Sequence, residues 1–191
     1  QTTTVFREEF GSISGMITSA STFGQLSELY RRLTFWQSEL IKSSDTSMRE
    51  VLRMQDSDAN RAFGKYISNN YTRWISSDAA DRPLISPAVM SKRIFPLIRK
   101  GSPVFFIIVD NMRLDQWQSM AGDLSQIMRT VSDELYLSIL PTTTQYSRNA
   151  LFAGLMPAAI DEIMPEYWIN DHEEEGKNLN EEKLLGKNLQ R

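Results

Sequence analysis

Val104-Phe105-Phe106-Ile107-Ile108-Val109 runs without a polar residue into Asp110-Asn111, and Glu134-Leu135-Tyr136-Leu137-Ser138-Ile139-Leu140 runs into Pro141-Thr142-Thr143-Thr144. The first run has the unbroken apolar character of a strand buried on both faces of a parallel sheet. The second is also strand-like, and residues 113–128 between them read as a helix long enough for a parallel crossover. On this reading Asp110 and the threonines stand at the carboxyl ends of adjacent strands, the edge where open α/β sheets build their sites.

The sequence N-terminal to these strands reads differently. Val5, Phe6, Phe10, Ile13 and Ile17 form the apolar side of a first helix that starts in the Thr2 to Glu9 region with an N-cap and an acidic first turn, and that Gly11 and Gly15 weaken. Ser21-Thr22 caps a second, in which Leu26, Leu29, Leu33, Trp36 and Leu40 step by three and four. Asp45 or Thr46 caps a third, whose apolar spacing runs from Met48 to Ile75. Three such helices make an antiparallel bundle over residues 1–75, with its aromatic and Met side chains as core. Residues 76–102 read as linker and connecting helix: Pro83 and Pro87 mark the break, Pro87 opens a short helix, Pro96 disturbs its last turn and Gly101 stops it. The expected fold is thus α/β with an N-terminal all-α part, a three-helix bundle followed at 103–191 by the first strands and helices of a larger sheet.

Composition narrows the class. The chain has 191 residues, 41% hydrophobic and 24% charged, a net charge of −3 and no Cys. It has the make-up of a soluble globular protein. A net negative charge gives no electrostatic case for duplex DNA, and the absence of Cys rules out disulfides and thiolate metal sites and suits a cytoplasmic setting. The longest apolar run is too short to span a bilayer. Two strands leave most of a sheet unpaired, and an exposed strand of this type is an aggregation hazard; with a start at Gln1 and a charged helix-like tail, this reads as a piece of a larger protein.

The candidate site residues each carry two readings. Asp110 either caps the helix beginning near Arg113, with Asn111, or serves as a hard oxygen ligand for a metal. Asp115 lies in the first turn of that helix, where it complements the dipole. Thr142, Thr143 and Thr144 either cap the helix over 146–155 or place a hydroxyl where helix N–H groups gather an anion, the position of a nucleophile. Arg148, one turn on, either binds a phosphate or covers the surface. His172, the only His, lies in the acidic run Asn170-Asp171-His172-Glu173-Glu174-Glu175 and reads as solvent-exposed.

The run Phe105 to Trp117, Phe-Phe-Ile-Ile-Val-Asp-Asn-Met-Arg-Leu-Asp-Gln-Trp, together with Ser138 to Pro157, Ser-Ile-Leu-Pro-Thr-Thr-Thr-Gln-Tyr-Ser-Arg-Asn-Ala-Leu-Phe-Ala-Gly-Leu-Met-Pro, resembles the PglZ branch of the alkaline phosphatase superfamily. With Tyr30-Arg31-Arg32-Leu33-Thr34-Phe35-Trp36 and the stretch from Tyr167 to Leu179, the chain as a whole is similar to the PorX-type response regulators of the type IX secretion system. The resemblance implies a receiver ahead of Gln1, a helical bundle, and a phosphatase-like effector that opens at about residue 103. It implies a zinc-dependent phosphodiesterase or phosphatase acting on nucleotides or oligonucleotides, with a pair of zinc ions in the complete domain. Asp110 then matches the first metal-binding carboxylate. In related nucleotide pyrophosphatases the nucleophile is the second Thr of Pro-Thr-x-Thr, with a Thr-Gly-Leu-like turn beyond it. Pro141-Thr142-Thr143-Thr144 and Gly154-Leu155 match that layout, which assigns the role to Thr144, also a metal contact, with Thr143 in reserve. Asn170 matches approximately an Asn that binds the transferred phosphate, beside Arg148. The family's remaining ligands include several His, and a chain with one His does not complete a zinc pair; the chain by itself is expected to be inactive. The implied partners are a sensor histidine kinase, a sigma factor and, as a homodimer, a second copy of the protein. A rival reading follows: a non-catalytic module that relays receiver phosphorylation to the sigma factor or kinase, through the seam Leu26 to Leu40 and the acidic stretch 171–182.

Overall fold

The computed structural model describes residues 2–77, 79–101, 103–169, 172 and 176–191. Its eight α-helices among the described residues are α1 (Thr2–Ser19), α2 (Phe23–Ile41), α3 (Thr46–Ser76), α4 (Phe95–Ile98), α5 (Leu114–Leu124), α6 (Thr144–Ala153), α7 (Pro157–Ile163) and α8 (Glu181–Gln190). The chain divides into two compact units, one of Gln1–Arg82 with Val109–Asp133, the other of Pro83–Ile108 with Glu134–Arg191.

The first unit is built on the expected bundle. Helices α1, α2 and α3 pack pairwise, and their shared core is Phe6, Ile13, Leu26, Leu29, Leu33, Trp36, Leu40, Leu52 and Ala59. Burial of each large member contributes about 1.5–3 kcal/mol, which carries α1 through Gly11 and Gly15. Phe6 and Trp36 meet ring to ring at 5.2 Å. Local chemistry sets the ends: Thr22 accepts from Gln25 N while the Gln25 side chain accepts from Thr22 N, a capping box, and Asp45 accepts from Met48 N at 3.1 Å. The first turn of α1 holds no acidic residue, because the helix begins at Thr2 and Glu8 and Glu9 fall beyond that turn. One buried polar side chain crosses the bundle: Gln55 of α3 donates from Nε2 to Phe10 O and Ser14 Oγ of α1 at 3.0 and 2.9 Å. Beyond α3, Arg73 grips Asp81 with two bonds of 2.5 and 2.6 Å, and Arg82 donates to Trp74 O and Ser77 O at the helix end.

The second unit packs α6 against α7, against α8 and against a 3-10 turn at Ser86–Ala88. Ala153, Ile160, Met164 and Leu184 form its central cluster. The connecting helix is broken into that turn, a π-helical stretch at Met90–Ile94 and α4. Pro96 has no N–H to give to the turn before it and its ring crowds the carbonyl four residues back, and Phe95 N reaches instead to Met90 O, one residue further than in an α-helix. Gly101 ends the stretch at φ +79°.

The expected start of a sheet does not form. No strand is present among the described residues beyond a single parallel bridge, Ile85 with Leu137. Residues 103–109 lack regular structure, with Phe105 87% and Ile107 76% exposed. A strand buried on both faces exists only between neighbours, and this run has none among the described residues. The second run does take up an inward-facing alternation, with Leu137 and Ile139 buried and Tyr136 and Leu140 exposed. Its partner is the linker rather than residues 104–109: Leu137 N donates to Leu84 O at 2.8 Å and Ile139 N to Ser86 Oγ at 3.2 Å. The helix expected over 113–128 ends at Leu124, followed by turns to Met128, and it packs against α2 instead of bridging two strands.

Candidate functional site

Asp110 belongs to the first unit. With Asn111 it makes a turn ahead of α5, and Asn111 sits at φ +55°, a left-handed conformation that Asn tolerates better than most residues. Neither residue caps the helix. The N-cap is Arg113, whose backbone N–H donates to Gln116 Oε1 at 2.9 Å. This leaves Asp110 exposed, facing a shallow depression lined also by Val109, Asn111, Met112, Asp115 and Ser119. Asp115, expected to serve the helix dipole, is held by Arg113 through bonds of 3.0 and 2.8 Å. Those hydrogen bonds put the Asp115 carboxyl below the usual carboxylate range.

Thr142, Thr143 and Thr144 belong to the second unit. They follow a cis Leu140–Pro141 bond and lead straight into α6. Thr143 is the N-cap residue by backbone position, with φ −58° and ψ 146°, although its side chain makes no capping bond. Its carbonyl accepts from Tyr146 N and Ser147 N at 3.0 and 2.9 Å, and Ser147 Oγ donates back to Thr142 O and Thr143 O. Thr144 is the first helical residue, two positions earlier than the periodicity suggested, and is half-buried where Thr143 is exposed. Of the three, Thr144 alone stands within the first turn of α6, at the positive end of the helix dipole.

The rest of α6 is fixed to the unit around it. Gln145 donates to Ile169 O at 2.8 Å and Asn149, almost fully buried, to Lys177 O at 2.8 Å. Arg148 is engaged by Glu181 of α8 at 2.6 Å, with both side chains largely covered. Its charge is therefore shared with a carboxylate before any phosphate arrives. Gly154 closes the helix at φ +64°. His172 is exposed, as its acidic surroundings implied, and Asn170 lies outside the described residues.

The sequence placed Asp110 and Thr144 on one edge of one sheet; the structure assigns them to different units. Among the described residues no three of His, Cys, Asp and Glu are gathered as a metal would require. A single exposed carboxylate does not make a zinc site, and the donors present do not by themselves fit a zinc pair. Sequence reasoning took Glu181 only as part of the acidic stretch 171–182 and missed its pairing with Arg148, and it passed over Asp133, which pairs with Arg31 across 102 positions with no local signal at all.

Comparison with known families gives two matches. Residues 89–191 match the BREX system PglZ alkaline phosphatase-like domain. Residues 1–75 match the PorX response regulator linker domain. No curated protein matches the chain.

Proposed function

The chain belongs to the family of PglZ alkaline phosphatase-like domains, carried behind a response regulator linker, and from that membership we propose that its parent protein is a two-component regulator whose effector cleaves phosphodiester or phosphomonoester bonds in nucleotides or oligonucleotides. The control exerted is over type IX secretion, with a sensor histidine kinase upstream and a sigma factor as a partner. The observation that supports this best is the placement of Thr144, half-buried on the first turn of α6 within the matched region.

In this reading the Thr144 hydroxyl passes its proton to water and forms a bond to phosphorus while the bond from phosphorus to the leaving oxygen breaks and that oxygen takes a proton from solvent. A second water then forms the bond to phosphorus as the Thr144–phosphorus bond breaks, and its proton restores the hydroxyl. The first-turn N–H groups of α6 face the phosphoryl oxygens, where an anion is favoured. Thr143, one residue earlier and exposed, is the second choice of nucleophile. Arg148 reaches a phosphate only by exchanging Glu181 for it, and Asn170 is the family's counterpart for the transferred group. Zinc enters as a proposal for the complete domain: Asp110 and Thr144 are the residues this chain would contribute, and the other ligands would come from outside the described residues. When bound, such a metal pair supplies Lewis acidity to the phosphoryl oxygens.

A second reading is favoured by one observation, that Asp110 and Thr144 fall in separate compact units. It treats the chain as a non-catalytic relay between receiver and sigma factor or kinase. Zinc content by mass spectrometry and hydrolysis of bis-p-nitrophenyl phosphate, both on the intact protein, separate the two. Stoichiometric zinc with turnover sustains the enzyme. A metal-free, inert protein that still captures its partner sustains the relay.

A further inference from the structure

The family match and the compact units draw different boundaries. Residues 109–133 lie within the phosphatase-like match, yet they belong to the same unit as the linker bundle. Helix α2 holds this segment at two places. At its far end Arg31 donates from Nη1 and Nη2 to the two carboxylate oxygens of Asp133, both at 2.9 Å, and from Nη2 to Asp133 O at 3.3 Å. In its middle α5 packs against α2. Arg31 is 24% exposed and Asp133 46%, and a planar guanidinium forked onto a carboxylate sets direction as well as distance, which a lysine does not.

We propose that Arg31 is a positioning residue: through Asp133 it fixes the 109–133 segment on α2, so that the linker bundle governs where the Asp110 turn is held. A displacement of α2 then carries that turn with it, and a signal received by the linker reaches the phosphatase-like domain through this segment. The catalytic importance of Asp110 rests on the function proposed above; the positioning does not.

Hydrogen exchange read by mass spectrometry on the full chain tests the positioning. Arg31→Ala should speed exchange over 109–133 by about two- to fivefold, the scale of a partly exposed ion pair, and leave α6 and α8 unchanged. The swapped pair Arg31→Asp with Asp133→Arg should restore slow exchange, and Arg31→Lys should fall between. Unchanged exchange over 109–133, faster exchange everywhere, or no rescue by the swap overturns the proposal. In the intact protein, kcat for bis-p-nitrophenyl phosphate should fall in Arg31→Ala and recover in the swap, with KM little changed. Altered exchange with kcat untouched would reduce Arg31 to a tether and also overturn its role. A wild-type protein without turnover defeats the phosphatase reading instead, and the exchange measurements then decide the positioning alone.

Discussion

Asn188 occupies the space that a side chain on Gly154 would need: a Cβ built on that glycine would stand 2.6 Å from Asn188 Oδ1. The close approach lets Asn188 donate from Nδ2 to Phe152 O at 2.9 Å and seats α8 on the end of α6. Gly154→Ala meets two penalties, the contact and a φ of +64°. It should destabilise the second unit by about 1–3 kcal/mol. Gly154→Ala combined with Asn188→Ala should recover the steric part only, as measured by urea unfolding.

Gln55 is the polar crosspiece of the bundle, 4% exposed. Replacing it with Ala removes both bonds to α1 and leaves Ser14 without that donor. A loss of about 1–3 kcal/mol is expected, visible as a lower urea midpoint by circular dichroism at 222 nm. An unchanged midpoint would mean that the two bonds add nothing net.

Thr22→Ala breaks the capping box at the start of α2. The expected cost is about 0.5–2 kcal/mol. Thr22→Asp should recover most of it, because Asp also accepts at the N-cap, and a thermal melt of the three variants checks the order.

The carboxyl of Asp81 is lowered to about 2, chiefly by its hydrogen bonds from Arg73. A depressed carboxyl stabilises the fold above its unfolded value of 3.8 and loses that contribution as pH falls from there through about 2. The end of α3 should therefore loosen over that window, and Asp81→Asn should be looser at neutral pH and insensitive to the same acidification. Side-chain carboxyl NMR titration reads the shift directly, and Arg73→Ala should return Asp81 towards its ordinary value.

Thr144→Ala in the intact protein should lower turnover at least about a thousandfold, as loss of a nucleophile does. The α6 fold should survive, since the N-cap position belongs to Thr143. Normal turnover in this variant would pass the role to Thr143, and Thr143→Ala would then be the variant that abolishes it.

What could be seen in the sequence was whatever its neighbours along the chain decide. The Thr22–Gln25 box, the Asp45 cap and the Leu26 to Leu40 seam all act within a few residues, and each is present. Thr144 could be placed at a helix start for the same reason, to within two residues. Strands were another matter, because a strand is defined by its partner. Residues 134–140 found one in Leu84 to Ser86, a stretch that reads as a proline-flanked break, while 104–109 found none among the described residues. The same limit hid the pairing of Arg31 with Asp133 and of Arg148 with Glu181, since each joins ordinary surface-type residues far apart in sequence. It also governed the site, for the meeting of Asp110 with Thr144 depends on a sheet rather than on either residue's surroundings.

The bond from Ile139 N to Ser86 Oγ spans 53 positions, and the adjoining Leu137 to Leu84 bond spans as many. In the bundle each helix pairs with the one that follows it, so its loops are short. Closing a long loop costs entropy before any contact repays it, which makes local structures faster to assemble. The three helices can therefore organise while the second unit still waits for distant residues to meet. The order of assembly is thus written in the spacing of the contacts: the bundle forms from neighbours along the chain, and the unit around α6 closes last.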